Sequence, residues 1–196
     1  MPVTFGDSEA VLGVLAGNGR VSISGRDFEI GPETGLYVKP GEAIAVVARD
    51  DGQPLRLLAA ICPVGPEPAV LASMPENFDD SVSARVVGVD PGKRQAMADR
   101  FYQVLIGDGV GSAQVTQFIG EVPKSRAAYH RHLYEEAITI LSGGGYMWTE
   151  GARAVVKPGD VIFLPQKQPH SLECTDPAGM RLMGIFYPSG SPAINY

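Results

Sequence analysis

The chain has 196 residues, is 44% hydrophobic and 19% charged, and carries a net charge of −6 with no run of Lys or Arg. That balance suits one large or two small soluble globular domains and argues against a nucleic-acid partner. No apolar stretch approaches the roughly 18–20 residues of a membrane span, and the opening MPVTFGDSEAV lacks the basic start and apolar core of a signal peptide, so no membrane partner and a cytoplasmic location are expected.

The 24 glycines and 16 prolines are spread along the chain. They punctuate short elements, as in an all-β protein with many turns. In chain order, the first clear elements lie in VLAGNGRVSISGRDFEIGPETGLYV, Val14 to Val38. It reads as an apolar pair, a small residue, Gly-x-Gly, a strand, a glycine turn, a second strand, Pro and Gly, and an aromatic–aliphatic strand. RLLAAICPVG follows at Arg56 to Gly65. Cys62 lies in it, and Cys174 lies far away; both read as reduced, buried thiols. Ser73 to Arg100 is polar and unlike the rest, and its GKRQAMADRFY portion is expected to form one short helix. Strands are then expected at Phe101–Ile106, Gln114–Ile119, Glu136–Leu141, Tyr146–Thr149, Ala154–Val156, Val161–Leu164, His170–Cys174 and Met180–Tyr187. Short strands at about 8–12-residue spacing indicate an antiparallel sandwich or barrel.

The later strands repeat the earlier ones. ILSGGGYMWTEGARAVVKPGDVIFL, Ile140 to Leu164, matches the segment from Val14 at an offset of 126 residues, and RLMGIFYPSG, Arg181 to Gly190, matches the segment from Arg56 at 125. Self-similarity at that length indicates a duplicated domain, since a solenoid repeats at about 20–50 residues.

The three histidines of the chain, His130, His132 and His170, all fall in the second copy. Residues i and i+2 of a strand point to one face, so His130 and His132 can reach one point inside a barrel. Glu136 shares parity with Ile138 and Ile140 and is expected on the inward face. Glu135 shares parity with Ala137 and Thr139 and is expected to face away. Gly143 then opens the hairpin.

The run His130-x-His132-x3-Glu136-x6-Gly143 resembles the first motif of the cupin superfamily. GDVIFLPQKQPHSLEC supplies Gly159, Pro165 and His170 at the spacing of the second motif, with Lys167 where the family has glycine and Cys174 where it has asparagine. The resemblance implies an all-β fold, a duplicated double-stranded β-helix (a jelly-roll-like barrel) whose N-terminal copy is incomplete. Residues 1–72 would form a degenerate metal-free cupin-like domain, 73–100 a linker, and 101–196 a metal-binding cupin domain. The resemblance further implies one divalent metal ion per chain, held by His130, His132, Glu136 and His170. Three imidazoles and one carboxylate suit Fe, Mn, Ni, Zn or Cu, and an octahedral ion would keep two positions open. With Gly17 aligned on Gly143, the counterparts of His130, His132 and Glu136 are Thr4, Gly6 and Ala10, and that of His170 is Ile44 or Ala45, so the first copy keeps no ligand.

The expected function is that of a metal-binding bicupin. A metal-dependent enzyme acting on a small organic molecule is favoured, oxygenase-type first and isomerase or lyase next, with Glu136 moving a proton. The competing expectation is a non-catalytic small-ligand binding or sensor protein with a structural metal. A small-molecule pocket is mostly apolar with a few placed polar groups; its candidates are Gln117, Tyr146, Trp148, Phe163 and Phe186, with Tyr129 and Gln168 nearby. Lys124, Arg126, Arg131 and Glu135 are expected at the barrel mouth or on the surface. An incomplete first barrel leaves a sheet edge to cover, from which a homodimer is expected.

Overall fold

The computed structural model describes residues 1–82 and 84–196. Among them, helix is confined to two 3-10 turns, Pro91–Lys93 and Asp108–Val110; the regular structure is otherwise β. The chain divides into two compact units, residues 1–88 with 105–113, and residues 89–104 with 114–196.

The first unit contains β1 (Val3–Thr4), β2 (Glu9–Ala16), β3 (Gly19–Ile23), β4 (Arg26–Ile30), β5 (Gly35–Val38), β6 (Ala43–Ala48), β7 (Arg56–Cys62), β8 (Ala69–Val70) and β9 (Val86–Val87). They form a five-stranded sheet ordered β4-β3-β6-β1-β8 and a four-stranded sheet ordered β7-β2-β5-β9. Apolar residues of both sheets fill the interior, among them Ala10, Leu12, Val14, Val21, Ile23, Leu36 and Val38. Each fully buried aliphatic side chain contributes about 1.5–3 kcal/mol to the stability of this unit. A buried ion pair flanks it. Arg85 reaches Glu42 through Nη1–Oε2 at 2.5 Å and Nη2–Oε1 at 2.8 Å.

The second unit contains β10 (Gln95–Met97), β11 (Arg100–Ile106, its last two residues falling in the first unit), β12 (Thr116–Val122), β13 (Glu135–Ser142), β14 (Gly145–Thr149), β15 (Ala152–Val156), β16 (Val161–Leu164), β17 (His170–Cys174) and β18 (Met180–Tyr187). The sheets run β10-β11-β12-β18-β13-β16 and β15-β14-β17. The eight expected strands are all present, the last three with the expected bounds.

The repeat is visible in the ladders. β13 pairs with β18 and shifts register between Ile140 and Ser142; β2 pairs with β7 and shifts between Val14 and Ala16. The glycine after each bulge has positive φ, +73° at Gly143 and +77° at Gly17. A Cβ on Gly143 would lie 2.2 Å from the Gly179 carbonyl oxygen, and one on Gly17 would lie 2.6 Å from that of Pro54. The Gly-x-Gly signature is thus a backbone requirement of this hairpin.

The stretch 73–100, expected as a linker, carries paired strands: β9 pairs with β5, Gly35 opposite Val87, and β10 pairs with β11, Ala96 opposite Phe101. One expectation needs correction: Gly92–Tyr102 does not form a helix. Asp90 caps the single turn Pro91–Lys93, and a hairpin turn with Ala98 at φ +53° follows. The good helix formers of GKRQAMADR lose to cross-strand pairing, because too few of them recur on one face to anchor a helix.

Candidate metal centre

The centre lies within the second unit and begins with a backbone bridge. His130 N–H donates to the His170 carbonyl at 3.1 Å, and His170 N–H returns the bond to His130 at 2.9 Å. Residues paired this way put their side chains on the same face, and the two rings lie 4.4 Å apart between centroids. His132 is 5.1 Å from His130 and 5.5 Å from His170 by the same measure. One nitrogen from each ring falls within 4.8 Å of the others.

Each ring is oriented by a carbonyl behind it. Nδ1 of His130, His132 and His170 meets Ala128 O at 2.9 Å, Ile194 O at 3.0 Å and Gln168 O at 2.9 Å. A carbonyl only accepts, so Nδ1 carries the proton and Nε2 keeps its lone pair, the tautomer that metal ligation needs. Burial pushes His130 and His132 below the usual imidazole range, which favours the neutral form.

Glu136 completes the set. It is 5% exposed, and its Oε2 lies 3.4 Å from His170 Nε2 and 3.7 Å from His132 Nε2. That oxygen has no hydrogen-bond partner. A buried carboxylate oxygen facing lone pairs instead of protons is costly alone. A divalent cation between them would satisfy all four groups, so the donor set fits the metal that the motif implies. Of the two adjacent glutamates, Glu136 lies opposite Leu164 and Phe186 on the inward face. Lys167, in the glycine position of the second motif, adopts φ +65° and donates its N–H to His132 O at 2.8 Å. The turn is therefore kept at the cost of a left-handed lysine.

The centre opens into a cavity of about 540 Å³, lined by aromatic and aliphatic groups that include Phe118, Ile138, Leu172, Leu182 and Phe186. Of the five pocket candidates, Phe186 lines it and the other four do not. β12 lines the cavity with Phe118, Gly120, Glu121 and Val122 and not with Gln117, whose buried Nε2 lies 3.6 Å from Met183 Sδ. In β14 the inward residue is Met147, opposite Leu172. Tyr146 and Trp148 hence face out, stacked on Arg153. Phe163 alternates with inward Ile162 and Leu164 and is 61% exposed. Tyr129 lines the cavity; Gln168 does not. Arg126, expected at the mouth, lies on the cavity wall and is exposed.

Three groups were missed. Tyr134, 8% exposed, stacks on His132 at 5.0 Å and packs on Phe186 at 4.4 Å. The even-numbered parity of His130, His132 and Glu136 could have found it. Burial pushes its phenol up to about 12. The β10–β11 hairpin contributes Met97 and Arg100, and the C-terminal segment contributes Pro192 and Tyr196. Neither segment carries a motif that announces this.

Residues 119–186 match the family model of the cupin domain, the region that carries β12 to β18 and all four candidate ligands. Residues 119–186 thus form a cupin domain. The chain resembles an uncharacterised protein of Methanocaldococcus jannaschii, 34% identical over 65 residues, 33% of this chain and 52% of that protein. The match thus spans about half of that relative. Among solved structures, the fold resembles procruciferin, an 11S globulin of Brassica napus (TM-score 0.75, 10% identity, 100% of this chain and 74% of that one). It also resembles an oxalate decarboxylase of Bacillus subtilis (0.73, 13%, 97% and 67%) and a salicylate 1,2-dioxygenase of Pseudoaminobacter salicylatoxidans (0.69, 11%, 95% and 66%). At these identities the likeness is one of cupin fold alone.

Proposed function

We propose that this cupin is a metal-dependent enzyme acting on a small organic molecule, with oxygenase-type chemistry favoured over isomerase or lyase chemistry. The observation that carries the reading is the unpartnered, buried Oε2 of Glu136 between imidazole lone pairs, at the floor of an apolar cavity of about 540 Å³. A structural metal would need no such cavity. His130, His132, His170 and Glu136 would hold one divalent ion, which would supply Lewis acidity and open positions for oxygen or substrate.

The chain's own residues set the conditions around it. Ala128, Gln168 and Ile194 fix the imidazole tautomers through their carbonyls. Phe118, Ile138 and Phe186 exclude water, and the substrate's apolar body packs on them. Glu136 would be the group that moves a proton, taking it from the substrate and returning it when its carboxylate is not engaged by the ion. The likeness to a decarboxylase and a dioxygenase is consistent with catalysis; because an 11S globulin shares the fold, the site must carry the claim.

Metal analysis of the purified protein, with oxygen uptake measured against aromatic acids and catechols, tests this reading. Iron or manganese with substrate-dependent uptake is the expected result. Zinc alone with no uptake for any compound would sink the oxygenase reading. His132→Ala should abolish turnover; if it only lowers Tm, the metal is a staple.

A homodimer is part of the same proposal. β7 ends its sheet, whereas its counterpart β18 is covered by β12. An uncovered edge invites a second chain. A monomer by light scattering at micromolar concentration would count against it. No helix among the described residues is long and apolar enough to cross a membrane, and a cytoplasmic location is proposed on the sequence reading above.

A further inference from the structure

Arg100 is a cavity-lining group whose chemistry the metal centre does not explain. Its side chain is 9% exposed. A guanidinium has five N–H donors. Here Nη2 donates to Leu172 O at 2.8 Å, while Nε is buried with no hydrogen-bond acceptor. The nearest carboxylate oxygen to Nε is Asp99 Oδ1 at 3.7 Å, beyond hydrogen-bond reach and on a side chain 55% exposed. A buried cation without a full partner is strongly unfavourable.

The other acidic groups of the wall do not serve it. Glu121 is taken by Arg94 at 2.7 Å and Arg181 at 3.1 Å, and Glu136 belongs to the histidines. The place of Arg100 is informative. Leu172, which anchors it, lies two residues beyond His170 on β17, roughly 6–7 Å along a strand. The space between is walled by Phe118, Leu182 and Phe186.

We propose that the cavity takes a carboxylate carried on an apolar body, and that the Arg100 guanidinium is the group that recognises it. The acid group lies at Arg100 and the apolar body extends toward the three histidines. This deepens the proposed function, since it rests on the cavity being the substrate site, and it makes Arg100 a specificity-determining residue. Burial, which holds the guanidinium below its usual range, disfavours the empty state in the same direction.

Benzoate and its neutral isostere benzamide test it by calorimetric titration of the full chain, metal-loaded and chelator-treated. Benzoate should bind at least about tenfold more tightly than benzamide in both forms, the difference expected for a charge-assisted hydrogen bond. Arg100→Gln should erase that preference, and Arg100→Lys should keep part of it. Unliganded melting curves identify a variant that fails to fold, and the wild-type comparison does not depend on either variant. Equal affinity for the two compounds, or a preference that survives in Arg100→Gln, would overturn the assignment. The preference persisting in a chain that binds no metal would support Arg100 while removing the metal reading; oxygen uptake without the preference would do the reverse.

Discussion

Lys167 stands where the cupin motif has glycine, and the structure holds it at φ +65°. A left-handed residue with a Cβ costs about 1–2 kcal/mol, while glycine returns part of this through greater freedom of the unfolded chain. Lys167→Gly should therefore stabilise the protein by about 0.5–1 kcal/mol, read as a Tm rise of about 1–4 °C. A lower Tm would mean that the lysine side chain contributes more than its backbone loses. The histidines allow a second test. Burial holds His130 and His132 below the usual imidazole value. For a group lowered by folding, the unfolded chain binds the proton first. Their contribution is then fully present above about pH 6.5 and falls as pH drops from there toward the lowered values. Urea denaturation of metal-free protein at pH 7 and pH 5.5 should show the lower midpoint at pH 5.5, and His132→Gln should shrink the difference. An unchanged midpoint would contradict the buried, neutral assignment.

Among the elements, the C-terminal segment after β18 has a task that strand patterns do not reveal. Ile194 O orients His132, Ser191 O receives the Tyr134 hydroxyl, and Tyr196 exchanges backbone bonds with Arg131 in both directions. The segment thus straps the histidine run from outside the sheet. Carbonyls behind metal-bound histidines are typically worth 10–100-fold in affinity. Removing residues 194–196 should weaken metal binding by about that factor in a chelator competition, with the strand content unchanged by circular dichroism. Full affinity in the truncated chain would show that His132 finds its tautomer without the strap. The β10–β11 hairpin has a comparable hidden role, since it brings Arg100 into the cavity wall.

For the whole molecule, the duplication is a built-in comparison. Ala10 occupies in β2 the place that Glu136 has in β13, with Val38 and Ile61 around it where Glu136 has Leu164 and Phe186. Thr4 lies opposite Ala43 and Val3 opposite Ile44, where the other copy bridges two histidines. The metal-to-chain ratio by elemental analysis should accordingly be one; a ratio of two would require ligands that the first unit's apolar core does not contain. What was legible in sequence alone is what local pattern controls. Strand positions follow from alternation and turn glycines, the repeat from self-similarity, and the shared face of His130, His132 and Glu136 from parity, because each is written in local pattern along the chain. Gln117, Tyr146, Trp148 and Phe163 were misplaced because alternation leaves open which face is inward, a choice made only by the strands packed against them. Arg100, Pro192 and Tyr196 carry no periodic signal at all. They line the cavity because the hairpin and the C-terminal segment pack beside it, and that depends on contacts between residues distant in the chain.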